Sequence, residues 1–264
     1  MCPTRIQGIK MMKKITRLAL LIIAILGMNC AKAQTDFSIH AGLASPLGSF
    51  ADSRASKGQM AWNTKTDRAG AGLGFDAGMK FRFKIPFVKG LGVIVTADLF
   101  YNGPNSDVKD WKEDLLDEAL EESSEISDAE ITIPKYINIP IMVGVNYEQN
   151  IAKDIKLWGE GALGANIGMI TDFNQWALYY DEEEYIMNYS FNSNTSLAYQ
   201  IGAGVMFAKK FSLGIHYYAF GSKKVKGEMN AESITGSGVH TDSERFTLKS
   251  INPSLFVIRA GYHF

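Results

Sequence analysis

Hydrophobic residues alternate with small or polar ones over most of the chain after residue 36. In the segment 70–83, seven apolar side chains alternate strictly with four glycines and with Asp76, Lys80 and Arg82. A period of two is the pattern of a β-strand with two different faces, because successive side chains point to opposite sides. The chain is therefore predicted to be all-β, with one apolar and one polar face on each strand.

Eight segments carry this pattern. They are residues 37–44, 70–83, 91–101, 133–146, 155–170, 196–207, 211–220 and 254–264. The connections after the odd-numbered strands are long, whereas those after the even-numbered strands are short. Long loops are uncommon in compact domains, so four of them on alternate connections need a structural cause. The layout predicts an eight-stranded antiparallel up-and-down transmembrane β-barrel with short periplasmic turns, four long external loops and both termini in the periplasm.

The apolar faces are predicted to point outward to lipid and the polar faces inward. Seven charged residues then share the interior: Asp76, Lys80, Arg82, Asp98, Lys156, Glu160 and Arg259. An eight-stranded barrel has room only for packed side chains, and buried charges are normally paired. We therefore expect a structural ion-pair network, with glycines making room for large side chains. An ion or proton path is the alternative interpretation.

The N-terminus has the three parts of a secretion signal. Lys13, Lys14 and Arg17 precede an uncharged segment, 18–28, and the sequence Ala-Lys-Ala follows at 31–33. Eleven apolar residues are too few to span a bilayer but suit a signal peptide. Residues 1–33 are thus predicted to be cleaved, with the true start at Met11 or Met12, and residues 34–264 to form the barrel. Gly-Met-Asn before Cys30 fits a lipidation signal poorly.

Charge separates the signal from the rest of the chain. The whole sequence carries 27 bases and 28 acids, but residues 1–33 hold six of the bases and no acid, which leaves 21 against 28 and a net charge of −7. Such a balance argues against a nucleic-acid binder. Both cysteines precede the predicted cut, so disulfides are excluded from the mature chain.

The second long connection is the most acidic one, with eleven acids and two bases in residues 102–130. Trp111, Leu115 and Ala119 recur at helical spacing there, which predicts a short amphipathic helix. A solvated acidic surface is favoured over a site for divalent cations or a basic partner, because no calcium-loop spacing is present. A second acidic patch, 181–184, is flanked by tyrosines.

Catalytic and metal sites are not predicted. Ser212 and His216 share a face but stand roughly 13 Å apart along their strand, too far for a hydrogen bond. His40, His216 and His263 point inward at different depths. We therefore expect neither an enzyme nor a cofactor. A soluble lipocalin-like barrel is disfavoured by the terminal Phe264 and by the long connections at one end.

Two short motifs carry a resemblance to a known family. The first motif is the strand Tyr-Ile-Asn-Ile-Pro-Ile at 136–141, with Tyr136, Ile139 and Pro140. The second is the terminal segment Arg-Ala-Gly-Tyr-His-Phe at 259–264. With them the chain resembles the outer-membrane β-barrel domain family of Gram-negative bacteria, in its PorT-like branch. Tyr262 and Phe264 resemble the C-terminal signal that the barrel assembly machinery reads. The resemblance implies an outer-membrane location and no catalytic residue.

The sequence thus favours a plugged barrel with a structural or surface-interaction role through acidic external loops. Its expected partners are outer-membrane lipid, the barrel assembly machinery during insertion, and an extracellular or secretion-system protein. Three alternatives stay open: a porin for small solutes, a secretion-associated barrel of PorT type, and an outer-membrane lipid-modifying enzyme.

Overall fold

The computed structural model describes residues 35–53, 68–122, 126–180, 183–222, 224–236, 238–247 and 251–264. The predicted signal peptide and its cleavage site, Cys30 and the centre of the acidic patch at 181–182 lie outside the described residues. No described helix combines the length and the apolar character needed to cross a membrane.

Eight strands close into an antiparallel barrel. They are β1 (Thr35–Pro46), β2 (Ala71–Lys84), β3 (Leu91–Pro104), β5 (Tyr136–Ala152), β6 (Ile155–Ile170), β9 (Asn194–Phe207), β10 (Phe211–Ala219) and β13 (Ser254–His263). The strand order around the barrel is β1-β13-β10-β9-β6-β5-β3-β2, so neighbours in space are neighbours in sequence among these eight. All eight predicted strands and the up-and-down topology are confirmed.

The two faces of the strands are those that the alternation predicts. Leu43, Ile201 and Leu213 on the outer surface are 57%, 61% and 54% exposed. Asp76 and Gln200 on the inner face are each 1% exposed. A closed sheet that is apolar outside and polar inside is the structure of a transmembrane barrel, since closure satisfies every backbone group in lipid. The protein is therefore an outer-membrane β-barrel.

Aromatic side chains mark both ends of this outer surface. At the end that holds the termini, Phe37 packs against Phe81 and Phe264, with ring centroids 4.9 and 5.4 Å apart. Toward the other end, Phe75 stacks on Tyr101 at 5.2 Å. Aromatic girdles at the two lipid–water interfaces are typical of outer-membrane barrels.

The short turns lie at the end of the termini, which is the periplasmic end by this layout. The predicted turn at 147–154 is wrong in extent, because β5 continues to Ala152 and only two residues separate it from β6. The hydrophobic alternation ends at residue 146, but the strand continues because polar residues can still pair where a strand extends beyond the lipid. The same strand begins at Tyr136 and not at residue 133.

Three of the four long connections are more ordered than predicted. They hold β4 (Ile126–Glu130), β7 (Phe173–Tyr180), β8 (Glu184–Phe191), β11 (Lys226–Thr235) and β12 (Gly238–Thr247). These strands form a second sheet in the order β12-β11-β8-β7-β4, called the outer sheet below. The second connection also holds the predicted helix, α1 (Ser106–Glu122). The first connection contains a single 3-10 turn, Gly48–Phe50, among its described residues.

Candidate functional site

The centre of the barrel interior is an arginine between two carboxylates. Arg259 on β13 donates from Nε to Asp76 Oδ2 at 2.8 Å, and its Nη2 lies 3.5 Å from Asp98 Oδ1. Strand β1 separates β13 from β2 at this level, with Gly42 opposite both Arg259 and Asp76. A Cβ on Gly42 would lie 2.6 Å from Asp76 Oδ1, so glycine is what allows this ion pair to form.

A second ion pair joins β2 to β6, two strands that are not neighbours in the barrel. Lys80 Nζ donates to Glu160 Oε2 at 2.7 Å and sits 5.1 Å from the centre of the Trp158 ring. Gln200 and His216 approach the other carboxylate oxygen, at 3.5 and 3.7 Å. Arg259 with its two carboxylates and the Lys80–Glu160 pair together bring five of the seven predicted interior residues into the middle of the barrel.

The other two, Arg82 and Lys156, lie at the periplasmic mouth. Arg82 donates to Asn146 at 2.7 Å and to Asp36 at 3.2 Å, and Lys156 donates to Glu148 at 3.1 Å. Asp36 and Glu148 are not among the predicted interior residues, because both lie outside the strand limits that the alternation indicates. Each continues a strand with its side chain inward, which is the signal that could have found them.

The outer end of the interior is aromatic. Phe100 packs against Tyr218 and Phe220, with ring centroids 4.8 and 5.4 Å apart, and all three side chains are fully buried. Phe50 from the first connection packs on Tyr136 at 5.1 Å. We call these five residues the aromatic cap. Tyr218 joins the cap to the charges, since its hydroxyl lies 3.4 Å from Asp98 Oδ2.

Among the described residues around Trp158, little empty space remains inside the barrel. Two cavities beside Trp158 and His263 have volumes of about 10 Å³ each. Each is about the space that a single water molecule needs. Gly204 and Gly214 face the Trp158 ring so closely that a Cβ on either would overlap it. The inward glycines thus make room for large side chains, as the sequence predicts.

The residues of the two sequence motifs have structural contacts. Tyr136 donates its hydroxyl to Ala69 O at 2.5 Å, and Pro140 faces the interior while Ile139 faces outward. The backbone N–H of Phe264 donates to Phe37 O at 3.0 Å, and its ring lies 5.0 Å from that of Tyr262. The C-terminal motif therefore closes the girdle at the seam between β1 and β13.

Three ligand-type side chains come together at the centre. His40, Asp76 and Asp98 each offer one potential metal-ligand atom, and these three atoms lie within 4.8 Å of one another. His40 contacts Asp98 at 2.6 Å, and Arg259 bonds Asp76 while lying close to Asp98. A metal ion would have to displace this guanidinium, so the chemistry of the set favours an ion-pair network over a metal centre.

Ser212 has a histidine partner, but not the one weighed from the sequence. Its hydroxyl lies 3.0 Å from His263 Nε2 on the neighbouring strand β13. Among the residues that the structure describes, no carboxylate hydrogen-bonds to His263. The pair therefore lacks the third group that orients the base in a catalytic triad.

Helix α1 is fixed to the outer end of the barrel. Asn105 caps it, since its Oδ1 accepts the Val108 N–H at 3.0 Å and its Nδ2 donates to Ala51 O at 2.9 Å. Val108 is buried and Trp111 packs against the same apolar cluster. The opposite face is solvent-exposed and acidic. Its exposed acids include Asp110, Glu113, Asp114, Asp117 and Glu121.

The outer sheet is polar on much of its surface. Phe246 packs between Tyr189 and Phe191 and supplies a small apolar centre. Burial raises the pKa of Tyr189, and the nearby Glu244 carboxylate raises it further. Strand β12 is an edge of this sheet and is exposed along nearly its whole length.

Comparison with known proteins gives structural likenesses without sequence relatives. No family model matches the chain, and no curated protein matches it. Neisserial surface protein A is 11% identical, with 88% of this chain and 97% of that chain covered at a TM-score of 0.42. A major outer membrane protein from Thermus thermophilus is 12% identical, with 88% of this chain and 100% of that chain covered at a TM-score of 0.42. The outer membrane protein OprG from Pseudomonas aeruginosa is 14% identical, with 88% of this chain and 97% of that chain covered at a TM-score of 0.38. The PorT-like branch stays a prediction.

Proposed function

We propose that this outer-membrane barrel has a filled lumen and holds an acidic helix at the cell surface for contact with a basic partner. The observation that carries the proposal is the placement of α1. Its apolar side is packed on the barrel, its first turn is capped by Asn105, and its exposed acids point to solvent. A rigid element with one sign of charge attracts partners of the opposite sign and increases their rate of association.

The filled interior supports a role at the surface over a role as a pore. The network around Arg259 and the aromatic cap occupy successive levels of the same lumen. A porin for small solutes needs an open path through both levels. Enzymatic activity and a secretion role of PorT type have no observation of their own in favour, so neither enters the proposal. The barrel assembly machinery and outer-membrane lipid are proposed as partners of the folding and folded chain.

A cross-linking experiment on intact cells tests the surface role. A photoreactive amino acid replaces Asp117 on the exposed side of α1, and adducts are detected after illumination. We expect a discrete protein adduct that the variant D110N/E113Q/D114N loses. The control is E184Q/D242N/E244Q, which removes three exposed acids from the outer sheet and should keep the adduct. Absence of an adduct, or equal loss in both variants, would overturn the proposal.

A further inference from the structure

A cavity of about 930 Å³ lies at the periplasmic mouth, between the β2–β3 turn and the β5–β6 hairpin. Its wall contains six cations and two carboxylates, a net charge of +4. The cations are Arg82, Lys84, Lys89, Lys153, Lys156 and Lys209. The carboxylates are Glu148 and Asp154. We call this space the basic cavity.

The cations of the basic cavity fall into two sets. Arg82, Lys84 and Lys156 form its inner wall and are paired with Asp36 or Glu148. Lys89, Lys153 and Lys209 form its rim. Within the part of the chain that the structure describes, these three have no carboxylate within 4.0 Å. The rim therefore presents three ammonium groups that form no ion pair among the residues that the structure describes.

The rim lysines are held by a fixed frame. Each comes from a different turn: β2–β3, β5–β6 and β9–β10. The Glu148 N–H donates to Gly90 O at 2.9 Å, and the Ala208 N–H donates to Asp154 O at 2.8 Å. These two bonds tie the three turns together. The arrangement is thus a formed concave site and differs from a scattered set of surface lysines.

We infer that the basic cavity binds a phosphate-bearing anion from the periplasmic side. Lysine ammonium groups act as point charges toward phosphate, and the volume lies within the range of small-molecule sites. Ile85, Val88 and Leu91 add an apolar strip to the wall, which suits a ligand that carries an apolar part beside its phosphate.

The source of the phosphate is either a phospholipid headgroup of the inner leaflet or a soluble phosphate compound. Phe87 at the tip of the β2–β3 turn is 94% exposed and Val88 is 47% exposed. Exposed apolar residues on a turn beside the bilayer contact the interface in many membrane proteins. The two sources share the same recognition chemistry and are separated by the two arms of the test.

The test uses the folded mature chain. In the soluble arm, calorimetry measures binding of inorganic pyrophosphate to the protein in a neutral detergent. In the lipid arm, native mass spectrometry counts phosphatidylglycerol retained from nanodiscs that contain mainly phosphatidylcholine. We expect binding in at least one arm. The variant K89Q/K153Q/K209Q should weaken it about 10-fold or more, since each exposed charge contact contributes a factor of about two to five.

A matched control removes the same charge elsewhere. The variant K109Q/K135Q/K210Q replaces three exposed lysines that do not line the cavity, and Lys210 is the chain neighbour of Lys209. It should bind as the wild type does. Heat-modifiable gel mobility, which reports a closed barrel, should be the same in all three proteins. Absence of binding in both arms, or equal affinity in the two triple variants, would overturn the inference.

Discussion

The barrel is filled in two different ways along its axis. From the periplasmic mouth to the middle, the interior consists of paired charges, of which Arg259 with Asp76 and Lys80 with Glu160 lie deepest. Toward the outer end it contains the aromatic cap, beside the hydrogen-bonded asparagines Asn138 and Asn166. Both kinds of side chain fill the lumen. Removing one partner of a buried ion pair leaves an unpaired charge, which destabilises the protein strongly. Truncating an apolar side chain destabilises it in proportion to the volume of the cavity that is left. The two halves should therefore respond differently to substitution.

The largest effect is expected from Arg259→Met. The change keeps the volume but leaves Asp76 and Asp98 buried without their main cation. Breaking one side of a buried pair costs about 3–5 kcal/mol. Urea unfolding in lipid vesicles would measure the loss. The variant R259M/D76N/D98N, which removes the opposing charges as well, should recover at least half of it, and a triple variant as unstable as R259M would contradict the account of the ionic half.

Phe100→Ala tests the aromatic cap. It removes the ring that packs on both Tyr218 and Phe220 and leaves a cavity, at a cost of about 3 kcal/mol. Phe100→Leu should cost less than half as much, because no charge is exposed and much of the volume is kept. Equal losses for Ala and Leu in the same unfolding assay would indicate that the cap does not act by packing.

Gly214→Ala tests how tightly the Trp158 ring packs against the strand backbone in the periplasmic half of the interior. The added Cβ would overlap the Trp158 ring, which lies 5.4 Å from His216. Overpacking of this kind costs about 1–3 kcal/mol. The matched control is Gly103→Ala, where nothing lies within 4 Å of a built Cβ. If thermal gel-shift midpoints of the two variants were the same, the interior around Trp158 would be looser than described.

The smallest effect is expected outside the barrel. Arg245 and Glu228 on the outer sheet are 3.8 Å apart, with side chains 88% and 43% exposed. An ion pair this open to solvent contributes less than about 0.5 kcal/mol. Arg245→Ala should therefore leave the unfolding midpoint nearly unchanged at physiological salt. A loss comparable to that of R259M would mean that the outer sheet supports the barrel.

The barrel was predictable because lipid imposes a strong pattern. Residues that face lipid must be apolar, and the inward positions of β2 are glycine or charged, so the alternation in β2 is visible in the sequence without any tertiary information. The outer sheet has no such constraint. The sequence of strand β12 is Gly-Val-His-Thr-Asp-Ser-Glu-Arg-Phe-Thr, and nearly all of its side chains are exposed to solvent. Its pairing with β11 therefore requires no hydrophobic alternation that the sequence could show.

Site residues were predictable by face but not by partner. The parity of Asp76, Lys80 and Arg259 placed them inward, yet which charge meets which depends on closure and on the tilt of the strands. The partner of Ser212 could not be predicted for the same reason. His263, which contacts Ser212, lies on the neighbouring strand β13, whereas His216 lies on the same strand as Ser212. Asp36 and Glu148 were missed since hydrophobic alternation fades where a strand leaves the bilayer.

The central claim is that charged pairs and the aromatic cap together close the lumen. Planar-bilayer recording of the purified, reconstituted protein tests it directly, with folding checked by heat-modifiable gel mobility. The account predicts no conductance above the level of the bare bilayer over a wide range of voltage. Stable, reproducible single-channel steps from the folded wild-type protein would contradict it.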